Sequence, residues 1–128
     1  MIDEYIATIS ALIAATDFLE RQDVHFDRRS DEIVFIRGNL IFTDGSHLHF
    51  REFARQPQGQ LVERYTYAYH YQRADGFFVF RYDDAPHFRN LPKFPHHKHS
   101  VSETNVTETD PPDLAAVLHE IENLIQVK

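Results

Sequence analysis

From Val24 to Asp84, β-branched and aromatic residues recur at every second position, in the runs "VHFDRRS", "EIVFIRGNLIF", "HLHFREFA", "LVERYTYAYHYQ" and "FFVFRYDD". A period of two sends successive side chains to opposite faces of a pleated strand, so this stretch is committed to sheet. The links between runs are short, which makes neighbouring strands antiparallel. "TDGS" at 43–46 and "RADG" at 73–76 both place Gly after Asp, and glycine supplies the positive φ of hairpin turns. In the first hairpin, a three-residue loop with Gly45 as a bulge opposes Leu40 to Leu48 and Gly38 to Phe50, whereas a two-residue loop would oppose Leu40 to His49. The second hairpin, read the same way, opposes His70 to Phe80, Ala68 to Tyr82, Tyr71 to Val79 and Tyr69 to Arg81.

Helical periodicity flanks this region. Ile2, Tyr5, Ile6, Ile9, Leu12, Ile13 and Leu19 form one apolar stripe, which predicts a helix from about Asp3 to Glu20. Near the other end Asp110, Pro111 and Asp113 read as a helix start, followed by the stripe Leu114, Val117, Leu118, Ile121, Leu124 and Ile125. Between sheet and final helix, "APHFRNLPKFPHHKHS" holds three prolines in sixteen residues and predicts a kinked loop. "VSETNVTETD" has little apolar weight and predicts a flexible link over 100–110. The expected fold is α+β: a four- to five-stranded antiparallel meander with N-terminal and C-terminal helices on one face, and the other face left to water or a ligand. At 128 residues and 42% hydrophobic content, a single domain over 1–128 accounts for the chain.

Formal charge is -7, but its distribution is uneven. Residues 1–20 carry four acids and no base, and 103–128 carry six acids against Lys128 alone, while 21–102 holds 12 of the 13 Lys and Arg against 10 acids. One surface is therefore expected to be cationic and able to meet a polyanion. The absence of cysteine excludes disulfides, thiolate nucleophiles and sulfur-ligated zinc. No run approaches the ~20 apolar residues that span a bilayer, and no leader pattern opens the chain, so a cytoplasmic protein without membrane attachment is expected.

Three groups could carry chemistry. Tyr67, Tyr69 and Tyr71, with Tyr65, share one face of the fourth run and suit either base stacking or an aromatic core layer. Arg81 and Asp83 lie two apart at the end of the fifth run, which leads into His87, and strand ends feeding loops are where scaffolds present reactive groups. "KFPHHKH" at 93–99 packs His96, His97 and His99 with Lys93 and Lys98 into seven positions. Imidazole exchanges protons near neutrality, which suits general acid and base work, and an ammonium beside it suits a phosphorane. A metal site of imidazoles with Asp83 is the rival reading, opposed by the two lysines, and a solvated loop without a task is the third.

The segment "YHYQRADGFFVFRYDDAPHFRNLPKFPHHKH" at 69–99 resembles the segment that marks the TumE family of prokaryotic toxins, in "YHYQ", "DG", a "FRYDNAPHH"-like stretch and a closing "PHHKH". Asp84 stands where that family usually has Asn, and Phe88 where it often has His, so neither is carried into the site. The resemblance implies a toxin paired with an antitoxin, itself expected to bind DNA. Joined to the residues above, it leads to an expected metal-independent ribonuclease without a cofactor. His97, with His96 or His99, would be acid and base, Lys98 and Arg81 would stabilise the phosphorane, and His70, Asp83 and His87 would assist. Tyr67, Tyr69, Tyr71 and Lys93 would hold the RNA. A module that occludes a protein or RNA target, or a histidine-site metal nuclease, is the alternative; oligomeric state is left open.

Overall fold

A computed structural model describes residues 2–84, 95–100 and 102–126, and it contains two helices and one sheet. The elements run α1 (Ile2–Ala14), β1 (Leu19–Arg28), β2 (Ile33–Phe42), β3 (His47–Arg55), β4 (Glu63–Gln72), β5 (Phe78–Asp83), β6 (His97–Ser100), β7 (Ser102–Glu108) and α2 (Leu114–Gln126). The strands lie side by side in chain order, every neighbouring pair antiparallel.

The α+β meander is therefore as expected but longer, with seven strands among the described residues where four or five are predicted. Both extra strands come from the segment read as loop and link. The three prolines at 86, 92 and 95 all precede His97, so none removes a donor from the β6 ladder. In β7, Thr104, Val106 and Thr107 supply β-branched propensity, and an edge strand needs little apolar weight. The flexible link predicted at 100–110 is replaced by strand over Ser102–Glu108. Helix α1 stops at Ala14, and Leu19 and Glu20 open β1 instead. Helix α2 starts at Leu114, where Asp113 Oδ1 accepts the Ala116 N–H at 2.8 Å. Asp110 is not the cap, because Pro111 itself precedes Pro112 and is held out of helical conformation, so the helix cannot begin there.

Both helices cover the same sheet face. Their buried residues, Ile2, Ile9 and Ile13 from α1 and Leu114, Val117, Leu118 and Ile121 from α2, pack with Val34, Ile36, Leu40, Phe42, Leu48, Phe50, Tyr69, Tyr71 and Phe80 in one core. The first hairpin has the expected register, with Leu40 opposite Leu48 and Gly38 opposite Phe50. Gly45, at φ 82°, makes its turn.

The second hairpin is one residue out of the predicted register. Tyr71 opposes Phe80, His70 opposes Arg81, Tyr69 opposes Tyr82 and Ala68 opposes Asp83, with a bulge between Tyr71 and Gln72. The bulge keeps Leu40, Leu48, Tyr71 and Phe80 in one unbroken apolar row across β2–β5. It also turns His70 and Arg81 together onto the helix-free face, since a one-residue slip exchanges faces. A second bulge, between Phe53 and Ala54, leaves Tyr65 without a cross-strand partner. Its ring stacks on Phe53, 5.3 Å between centroids, on the open face, so the four tyrosines of β4 do not point one way.

Candidate active site on the open face of the sheet

Strand parity divides the histidine-rich heptad. On β6, Lys98 opposes Tyr82 on the helix-covered face, and its ammonium sits 2.9 Å from Glu120 Oε2 of α2 and 4.9 Å from the Tyr82 ring centroid. Burial pulls this ammonium's pKa down, but hydrogen bonds to Glu120 and Tyr82 more than offset that and leave it raised. His96 hydrogen-bonds through Nδ1 to the Tyr67 hydroxyl at 2.9 Å, its ring stacked on the phenol. These two residues therefore tie β6 to the helix side, and the predicted convergence of Lys98 and His96 with His97 does not occur.

His97 and His99 take the opposite face. His97 opposes Asp83 and His99 opposes Arg81, and beyond them Ala68 and His70 continue the same two rows onto β4. His97 Nε2 is 2.7 Å from Asp83 Oδ1, and its Nδ1 lies 3.0 Å from the Pro95 carbonyl. A carbonyl oxygen only accepts, so Nδ1 carries a proton and Nε2 is the nitrogen that faces the carboxylate. Arg81 Nε forms an ion pair with Asp83 Oδ2 at 2.8 Å, and His99 Nε2 is 3.8 Å from that oxygen. Asp83 and His97 are each 1% exposed. A buried carboxylate with a guanidinium on one oxygen and an imidazole on the other locks Arg81 in orientation.

The geometry thus places His70, Arg81 and His99 as direct cross-strand neighbours, about 4.8 Å from strand to strand, with the Asp83–His97 pair in the adjacent row. Two imidazoles flank a fixed guanidinium, an arrangement able to move protons on either side of a bound phosphate. Asp83, His97 and His99 also bring ligand atoms within 4.8 Å of one another and could hold a divalent cation. The Arg81 guanidinium on Asp83 opposes that use by adding positive charge at the same carboxylate.

Tyr67, Tyr69 and Tyr71 are at most 1% exposed, so stacking on a ligand is closed to them. They form the aromatic layer under the helices. Tyr69 donates to buried Glu52 at 2.6 Å and accepts from Arg64 at 2.9 Å, and Tyr5 of α1 donates to the other Glu52 oxygen. Burial, and then the Glu52 charge, raise the Tyr69 hydroxyl well above the usual phenol range. His87 and Lys93 lie outside the described residues. Arg37, Arg51, His49 and Asn39 were not singled out from the sequence, yet all are exposed on the open face beside His70. The signal for them was parity: each occupies the polar phase of a strand whose other phase is core.

A family model described as Toxin TumE matches residues 9–126. The chain belongs to the TumE toxin family. The match spans nearly the whole chain, from the middle of α1 to the last residue of α2, where the resemblance read from sequence rested on 69–99. Membership of a toxin family suggests an antitoxin partner. No curated protein and no solved structure gives a match. Among the described residues, no helix is long and apolar enough to cross a membrane.

Proposed function

We propose that this TumE toxin arrests growth by cleaving RNA on the open face of its sheet, through metal-independent transesterification. The observation that carries the reading is the registered row His70–Arg81–His99 beside the buried Asp83–His97 pair. One of the two flanking imidazoles takes the proton of a ribose 2′-hydroxyl, whose oxygen attacks the adjacent phosphorus. The other protonates the departing 5′-oxygen, and the products are a 2′,3′-cyclic phosphate and a 5′-hydroxyl. Arg81 stabilises the charge on the phosphorane, and Asp83 and His97 position Arg81. The reaction uses only the substrate's own nucleophile, which suits a chain without cysteine. Such a toxin acts where RNA is, in the cytoplasm, with a DNA-binding antitoxin as its silencing partner.

The test is incubation of purified protein with a single-stranded RNA oligonucleotide, with and without chelator, beside the same oligonucleotide carrying 2′-deoxyribose. Cleavage that survives chelation, ends in a cyclic phosphate, and is lost in the 2′-deoxy substrate and in His99→Ala is the expected result. Cleavage abolished by chelator and restored by zinc or manganese would instead assign the Asp83–His97–His99 cluster as a metal centre. Intact RNA under all conditions refutes the nuclease reading and favours a toxin that works by occluding its target.

A further inference from the structure

The open face extends well beyond the three catalytic candidates. One cross-sheet row reads His25, Arg37, Arg51, Ala68, Asp83, His97, in direct register from β1 to β6. Arg37 and Arg51 are exposed and stand directly opposite each other, a like-charge pairing that disfavours the folded sheet. Among the described residues neither makes an ion pair. The nearby exposed acids are engaged elsewhere: Asp23 holds His25 at 3.0 Å and Asp27 holds Arg29 at 2.8 Å. Two arginines set side by side without a carboxylate are arranged for a ligand that brings its own negative charge.

A second feature lies in the next row along the same strands. Phe35 meets Phe53 edge to face at 4.2 Å, and Phe53 stacks on Tyr65 at 5.3 Å, with Tyr65 49% exposed. The β3–β4 bulge is what brings Tyr65 to this face. Arg55 donates to its hydroxyl at 2.8 Å and holds the ring. An aromatic strip and a cationic strip run parallel, one pleat repeat apart. Ala68 stands in the row between Arg51 and Asp83.

We infer that Arg37 and Arg51 with Phe53 and Tyr65 form a track for single-stranded RNA, the phosphates on the arginines and the bases on the rings, leading to Arg81. The inference rests on the nuclease reading of the Arg81 row and adds where the substrate lies. From β2 to β5 the track crosses three strand spacings, about 14 Å, room for about four stacked nucleotides at ~3.4 Å each. The bases meet stacking surfaces along the strip, so binding is tolerant of sequence.

The test uses a labelled single-stranded RNA of about eight nucleotides, with binding followed by anisotropy across a salt series and cleavage followed under steady state. For the Arg37→Gln/Arg51→Gln double variant, the slope of log affinity against log salt is expected to flatten by about 1.4, from ~0.7 per lost phosphate contact. KM should rise tenfold or more with kcat within threefold. Tyr65→Ala should weaken binding about 5- to 100-fold with the salt slope unchanged, since stacking is not counterion release. Unchanged slope and KM in both variants, each with a wild-type circular dichroism spectrum, overturn the track while leaving the cleavage chemistry standing. Wild-type RNA binding that shows these changes without any cleavage supports the track and refutes the nuclease reading. Absence of RNA binding by the wild-type protein overturns both.

Discussion

Replacing Gly38 by alanine should destabilise the protein although glycine is a poor strand residue. A Cβ built at Gly38 falls 2.3 Å from Phe50 Cε1 and 2.7 Å from Cζ. Ordinary carbon contacts lie at about 3.5–4.0 Å, so the ring must retreat by roughly 1 Å or more. Phe50 is fully buried, and the Tyr69 ring stands 6.3 Å away, centroid to centroid, on its other side in the sheet. Tyr69 is in turn held by Glu52 and Arg64. Overpacking of this kind costs about 1–3 kcal/mol, and alanine regains only ~0.5–1 kcal/mol over glycine in a strand. The expected net loss is about 1–2 kcal/mol. With a urea m-value of about 1.5 kcal/mol/M, the midpoint of unfolding should fall by roughly 1 M. Phe50→Leu in the same chain removes the struck carbons, so the double variant should be more stable than the sum of the two single losses by about 0.5 kcal/mol or more. A Gly38→Ala midpoint at or above wild type, or strict additivity with Phe50→Leu, would refute the steric argument.

Asp83→Asn should cost on the order of 3 kcal/mol in chemical denaturation, because the Arg81 guanidinium and the His97 imidazole lose their buried carboxylate; RNA cleavage should fall at least 100-fold with it. Lys98→Met should keep cleavage and growth inhibition within about threefold of wild type, since Lys98 faces Glu120 on the helix side; loss of activity at unchanged stability would return Lys98 to the site. Stability should decline above pH 10, because the Tyr69 pKa is raised in the folded state: folding holds a proton that the unfolded chain releases, so the stabilisation is complete below about 10 and is lost as pH rises beyond it. One such proton corresponds to about 1.4 kcal/mol per pH unit, and urea midpoints from pH 9 to 11 should fall less steeply in Tyr69→Phe.

The parts of the fold that were legible in the sequence are those where one local rule decides. Period two identified β2 to β5, and the Gly45 turn with Leu40, Leu48, Gly38 and Phe50 identified the first register. The second register was not legible, because the bulge at Tyr71 is chosen by the need to keep Phe80 in a row with Leu48, a tertiary demand that no turn residue announces. Strand β6 was hidden for a different reason. Three prolines mark 85–100 as one irregular segment by composition, whereas all of them lie before His97. The grouping of Arg81, Asp83, His97 and His99 was visible as composition, but the removal of His96 and Lys98 from that group required knowing that the heptad alternates. Arg37 and Arg51 lie 44 and 30 positions before Arg81, and only the finished meander makes them neighbours of the site.

Because β5 carries one extra residue, Val79, at its bulge opposite β4, odd and even positions trade places along this hairpin. Losing or gaining a single amino acid within Phe78–Asp83 would bury Arg81 among the tyrosines and push Phe80 into solvent. The same change in the 73–77 tip alters nothing on either face. Natural length variation in this lineage should therefore collect at the tips of hairpins, and where it enters β5 it should come in steps of two or with a compensating change in β4.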